Sequence, residues 1–143
     1  MYKKILLPTD GSEHAARAAE HALWIAHQSN AKLTIISVIE STFIVGLPSA
    51  DVTDEIRDML KTEAQKHLNK IQKLAEQKGY TVDMELVVKE GSPASAILKY
   101  SEEENIDLII MGTSGKSGID RLLMGSVAQN ITKSSKCPVL IVQ

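Results

Sequence analysis

The chain has 143 residues, 16 of them basic and 18 acidic, for a formal net charge of −2. That balance gives no electrostatic case for nucleic acid or an anionic membrane as the main partner, and one Trp, one Phe and three Tyr leave little surface for stacking bases. A chain of this length reads as one domain, 1–143, able to bury about 68–70% of its unfolded surface, and its single cysteine, Cys137, excludes an internal disulfide.

Residues 3–8 read as a short buried strand ended by Pro8, which cannot donate to a ladder. Its apolar run, Ile5-Leu6-Leu7, is too short for a signal-peptide core, and no run approaches membrane-spanning length, so the chain is expected to be cytoplasmic. Thr9-Asp10-Gly11-Ser12 reads as a tight turn, with Ser12 as N-cap and Glu13 in the first helical turn. Ala15, Ala16, Ala19, Ala22, Leu23 and Ala26 then recur at helical spacing over about 13–29, an alanine-rich face suited to close packing on a sheet. Leu33 to Val38, rich in β-branched residues, is the second strand.

Residues 41–50 form a loop of high apolar content, which a lid, a partner contact and a tucked-in core segment explain equally well. A long helix over about 52–78 carries the stripe Ile56, Met59, Leu60, Ala64, Leu68, Ile71, Leu74 and Ala75, with Gly79 where a C-terminal glycine belongs. Val82 to Val88 is the third strand. Gly91-Ser92-Pro93 supplies an N-cap and a proline at the first position of a helix to about Glu103. Strand four is 107–111, helix four about 126–135 and strand five 139–142, with Cys137 as a small core or strand-entry residue. The alternation β-α-β-α-β-α-β-α-β implies a parallel sheet covered by helices on both faces, with right-handed crossovers.

Most of the candidate chemistry follows strand four. Gly112, Gly115, Gly118 and Gly125 are half of the chain's eight glycines, and a new helix opens at Ser126. A strand entering a glycine-rich loop and then a helix start can hold a phosphate: glycine lets main-chain N–H groups approach the anion, and the first helical turn adds unpaired donors and a positive dipole end. Lys116 adds a cation, and Thr113, Ser114, Ser117 and Ser126 add hydroxyls. An ordinary βα loop with spare glycines is the alternative. Gly115-Lys116-Ser117 looks like the end of a P-loop, but Ile110 stands where its first glycine belongs, and no G-x-G-x-x-G occurs.

Other constellations are thinner. His14, His21 and His27 lie on the first helix without the i, i+4 pair and glutamate of a zinc helix, so they read as solvated helix residues. Glu102-Glu103-Glu104 reads as a solvated helix end. No G-x-S-x-G elbow occurs, and the one S-x-x-K, Ser29 to Lys32, has no S-D-N or K-T-G beside it.

Gly112-x-x-Gly115, nine residues, then Gly125-Ser126 matches in spacing and residue type the G-x2-G-x9-G-[ST] signature of the universal stress protein family. Lys3-Lys4-Ile-Leu-Leu-Pro8-Thr9-Asp10-Gly11-Ser12 resembles the family's opening strand and turn, Gly125 to Asn130 its last helix start, and Cys137-Pro138-Val139 to Val142 its terminal strand. The resemblance covers nearly all of the chain apart from about 42–55, and it is to the ATP-binding branch. It implies a doubly wound, Rossmann-like α/β fold, similar to the adenine nucleotide alpha hydrolases, with five parallel strands in the order 3-2-1-4-5. That order reverses between strands 1 and 4, and ligands bind beyond the strand ends at such a point.

By the same resemblance the chain is expected to bind ATP (or AMP/ADP) with Mg²⁺ bridging the phosphates. Asp10 would accept from ribose hydroxyls, an alternative to ordering its own turn. Val38, at the end of strand 2, would contact adenine through its main chain. Gly112 and Gly115 would let the loop close over ribose and phosphate, and Gly125, Ser126 and Val127 would offer N–H groups, with Lys116 and Ser117 lining the loop. Pro8, Thr9, Thr113, Ser114, Gly118 and Ala128 complete the expected nucleotide contacts. No catalytic residue and no protein metal ligand is assigned.

The apolar, uncharged strand Val139 to Val142 would lie at the sheet edge, where pairing into a homodimer is the physical answer; shielding by the strand's own helix is the alternative. Three functions compete. One is a nucleotide-binding regulatory protein of the stress response, acting through its dimer surface or an unknown protein partner. The second is a slow ATPase or adenylyl-transfer enzyme, for which the Ser-Gly-Gly-x-Asp loop of pyrophosphatase-type ligases is missing. The third is a nucleotide-free interaction protein.

Overall fold

The computed structural model describes residues 1–41, 44, 46, 49–114 and 124–143. Among the described residues five strands and four helices alternate: β1 (Lys4–Pro8), α1 (Glu13–Ser29), β2 (Lys32–Glu40), α2 (Ala50–Lys78), β3 (Asp83–Gly91), α3 (Pro93–Glu103), β4 (Leu108–Gly112), α4 (Ser126–Ser134) and β5 (Val139–Val142). The sheet is parallel throughout, in the order β3-β2-β1-β4-β5. This is the doubly wound order expected above, with its reversal between β1 and β4.

The two-residue period of the strands divides the core. Ile5 and Leu7 face α1 and α2, where Ala18, Ala19, Ala22, Leu23 and Ala26 meet Leu68, Ile71 and Ala75. Leu6 faces the opposite side with Ile109 and Met111, against Ile97 and Tyr100 of α3 and Ala128 and Ile131 of α4. Ile5, Leu6 and Leu7 are fully buried, each such side chain contributing about 1.5–3 kcal/mol of transfer free energy. The alanines let α1 lie close on the strands, which brings its first turn onto the end of β4.

The helix ends explain their boundaries. Ser12 Oγ accepts from Ala15 N at 3.2 Å and starts α1. Ser49 Oγ accepts from Val52 N at 3.3 Å, so α2 opens at Ala50, two residues before the periodicity predicts. Gly79 closes α2 in the left-handed region, as its position implied. Ser92 stands at the N-cap of α3 with Pro93 next, but its side chain makes no capping bond, and the fixed proline φ opens the helix instead.

Two expectations change. β2 runs on to Glu40 and β3 to Gly91, because the two pair continuously from Lys32↔Asp83 to Glu40↔Gly91. Val38 is therefore two residues inside β2 rather than at its end. In the loop over 41–50, Ile44 is buried against Ile39 and Ala64, a core contact of the kind the tucked-in reading expects, while Gly46 is exposed. Residues 42, 43, 45, 47 and 48 lie outside the described residues, and Ser49 and Ala50 belong to the start of α2.

Candidate functional site

The site begins where strands of unequal length stop. β1 ends at Pro8, paired with Ile36, while β2 continues four residues further. Thr9 N donates to Ile36 O at 2.9 Å, so Ile36 turns its main-chain polar groups toward β1. Main-chain direction repeats every second residue along a strand. Val38 therefore turns its N–H and C=O the same way, into the gap beyond Pro8. Counting on from Pro8↔Ile36 and Leu6↔Ile109 puts Asp10, Val38 and Thr113 at one level, across the reversal in strand order.

The turn after β1 is internally bonded. Asp10 Oδ1 accepts from Ser12 N at 2.9 Å and Thr9 Oγ1 accepts from Gly11 N at 3.3 Å. The turn-ordering role of Asp10 is thus present in the structure. Gly11 has φ +80°, and a Cβ built there would lie 2.6 Å from two ring carbons of His67. The bare glycine makes room for that imidazole, whose Nε2 stands 3.4 Å from Glu63 one turn back on α2.

On the other side of the crevice, Thr113 is held through three polar groups. Its N–H donates to Val142 O at 3.1 Å, its carbonyl accepts from Gly125 N at 2.7 Å, and its hydroxyl stands 3.3 Å from His14 Nδ1. The Thr113–Gly125 bond joins the residue that opens the glycine-rich segment to the one that closes it. A Cβ at Gly125 would lie 3.3 Å from Ser114 Cα, tighter than ordinary contact, so glycine permits this closure.

Gly125 is the N-cap of α4 and brings no side chain to cap it. The first intrahelical bond is Gln129 N to Gly125 O at 2.9 Å, which leaves the N–H groups of Ser126, Val127 and Ala128 as the donors a helix start cannot use internally. Ser114 Oγ beside them is buried without a hydrogen-bond partner. An orphaned hydroxyl next to an uncapped helix start suits an anion, since both lack the oxygen partner that a phosphate would supply.

The structure revises four sequence readings. The Gly125 N–H, expected to face phosphate, is committed to Thr113 O. Gly112, expected to make room for ligand, makes room for α1: a Cβ there would lie 2.7 Å from the His14 main-chain carbon. His14 is not simply solvated, since Arg17 and Thr113 both reach its Nδ1. His27 is also engaged, stacked on Tyr80 at 5.0 Å with Nδ1 on Thr81 O. Gly115, Lys116, Ser117 and Gly118 lie outside the described residues. Among the described residues no group of three or more His, Cys, Asp or Glu could hold a metal ion.

The structure therefore brings Asp10, Val38, Thr113, Ser114 and the start of α4 to one end of the sheet, with Pro8 and Thr9 at the floor. Comparison with known proteins gives this arrangement a lineage. The model of the universal stress protein family matches residues 1–143. The chain belongs to the universal stress protein family. Among its relatives, universal stress protein MJ0531 of Methanocaldococcus jannaschii is 43% identical, over 100% of this chain and 83% of its own. The solved structure of MJ0577, from the same organism, superposes with a TM-score of 0.85 at 33% identity, covering 99% of this chain and 96% of that one. A universal stress protein solved in complex with cAMP superposes with a TM-score of 0.75 at 29% identity, covering 99% and 97%.

His14, His67 and the Thr113–Gly125 bond were missed by sequence reasoning. His14 and Thr113 are 99 positions apart, and no local pattern carries such a contact. Gly11 was the one available signal for His67, since a glycine in a turn can mark a close approach as well as a backbone angle.

Proposed function

We propose that this universal stress protein binds an adenine nucleotide, ATP or AMP/ADP, in the crevice between the 8–12 turn and the start of α4. It holds the nucleotide rather than consuming it, and serves the stress response in the cytoplasm as a homodimer. The observation that carries the reading is the convergence at one sheet end of two unlike sets of main-chain groups. Val38 offers a paired N–H and C=O, the pattern an adenine edge needs, and Ser126, Val127 and Ala128 offer N–H groups to an anion. Asp10 stands between them at the level of a ribose. The relative solved with cAMP, which contains adenine, ribose and phosphate, supports the same assignment. Mg²⁺ would be held by the phosphates and water, with the protein supplying main-chain donors to the remaining phosphate oxygens.

The dimer reading rests on β5. It is one of the two edge strands of the sheet, and Leu140 on it is 36% exposed. Arg17 Nε of α1 reaches Gln143 O at the end of that strand, and Trp24, two helical turns further along α1, is 54% exposed. Apolar side chains beside an unpaired strand edge favour association with a second copy. Among the described residues no helix is long and apolar enough to cross a membrane.

The decisive experiment denatures freshly purified protein and identifies released nucleotide by chromatography, with calorimetric titration of MgATP alongside. Adenine nucleotide in the supernatant, or saturable heat on titration, supports the reading. Protein that releases none and gives no heat turns the assignment to a nucleotide-free interaction protein. Turnover well above background would turn it to a slow ATPase. For the dimer, Leu140→Lys should move the sedimenting species from two chains to one.

A further inference from the structure

We propose that His14 is a positioning residue for the phosphate-binding end of the crevice, acting through Thr113; this rests on the nucleotide reading above. The argument begins with a constraint on the proton. Arg17 Nη2 stands 3.0 Å from His14 Nδ1 and Thr113 Oγ1 stands 3.3 Å from the same atom. A guanidinium only donates, so Nδ1 must accept from it and carries no proton. The Thr113 hydroxyl must then donate as well. The contact with Arg17 assigns the ring proton to Nε2, and the two donors share the single lone pair of Nδ1.

That fixes the hydroxyl rotor of Thr113, and Thr113 is the residue on which the phosphate end is built. Its N–H is bonded to β5 and its carbonyl holds Gly125 N, the residue before the first free N–H groups of α4. With its side chain held by His14, every polar group of Thr113 has a defined direction, and Thr113 is 8% exposed. Arg17 is in turn held at Gln143 O through Nε, so the acceptor that orients Thr113 is itself approached from a fixed side. His14 could not stand here without Gly112, whose missing side chain lets the first turn of α1 rest on the strand end. His14 touches no proposed ligand atom. Its effect is to set where the α4 donors point.

The test compares wild type, His14→Leu and His14→Asn by calorimetric titration with MgATP and by thermal unfolding. Leucine fills the space without an acceptor, while asparagine places its amide oxygen close to where Nδ1 lies. The expected result is a loss of about tenfold in MgATP affinity for His14→Leu, the scale of one lost hydrogen bond. His14→Asn should recover affinity to within about threefold of wild type. A leucine variant that binds as wild type overturns the inference and leaves the nucleotide reading intact. So does a weakened leucine variant that asparagine fails to restore, because shape and packing would then be the cause, and a parallel fall in Tm would locate that cause in α1. Wild type that binds no MgATP removes the nucleotide reading and this inference with it.

Discussion

The two ends of the sheet are built on opposite plans. At the amino-terminal end the strands start level, with Lys4, Lys32 and Asp83 in register, and charged side chains there bond to main-chain groups and to each other. Asp107 Oδ2 accepts from the main-chain N–H of Lys3 and Lys4 at 2.9 and 3.1 Å, Lys4 Nζ donates to Glu104 O, and Lys32 pairs with Glu85 at 2.6 Å. Burial, ahead of an opposing hydrogen bond with Thr34, pushes the Tyr100 hydroxyl above its ordinary value. At the carboxyl-terminal end the strands stop at different levels, β1 four residues short of β2. Beside the end of β1 the residues are small, Thr9, Gly11, Gly112, Thr113, Ser114 and Gly125, although farther out Arg57 pairs with Glu90 near the end of β3 at 3.0 Å. One end closes the sheet and the other exposes it, so changes at the first should act on stability and changes at the second on binding.

Gly112→Val is expected to break that division most severely. It lies at the open end, yet its new carbons would meet the His14 main chain, and overpacking of this kind costs about 1–3 kcal/mol or more. A large fall in Tm is the expected result; an unchanged Tm would mean that α1 does not rest on β4 as described.

Gly125→Val should respect the division. The added side chain presses on Ser114 and loosens the bond to Thr113 O, so MgATP affinity should fall by about tenfold or more, with Tm little changed. Normal binding by this variant would remove the start of α4 from the phosphate site.

Asp107→Ala sharpens the contrast from the other side. It strips the acceptor from two main-chain donors, at about 1–3 kcal/mol of stability, and should leave MgATP affinity as in wild type. Equal loss of affinity here and in Gly125→Val would show that the two ends are not independent. The smallest effect belongs to Glu85→Gln. Its partner Lys32 is solvent-exposed and titrates above its usual value chiefly through the hydrogen bond and charge of Glu85. The stabilisation is fully present below the unfolded lysine value and is lost only as pH rises through the higher folded value. Urea titration between pH 6 and 9 should therefore find a constant, near-zero difference from wild type.

What the sequence made legible was whatever is written in neighbours along the chain. The alanine stripe of α1, Gly79 at the end of α2 and the alternation of strand and helix are local signals, and the structure follows them. The overrun of β2 was not legible, because Ile39 and Glu40 are strand only by pairing with Glu90 and Gly91. Ser92 has the right residue type for a cap but makes no capping bond, which composition cannot reveal. The glycines were legible as a group and misleading one by one. Gly112 serves a helix contact, Gly125 a closure, and Gly11 an imidazole, each with a partner distant in sequence. His14 was set aside because the pattern sought for it was a metal pattern, while its actual neighbours are a guanidinium on its own helix and a hydroxyl at the end of β4.

The bond between Thr113 O and Gly125 N has a consequence for how such a protein can change. It joins the residue after β4 to the residue before α4, so the two elements are held together by a main-chain bond as well as by the chain. Side chains along β4 and α4 can then be exchanged over time without parting the two elements, since a main-chain bond between their ends asks for no particular side chain within them.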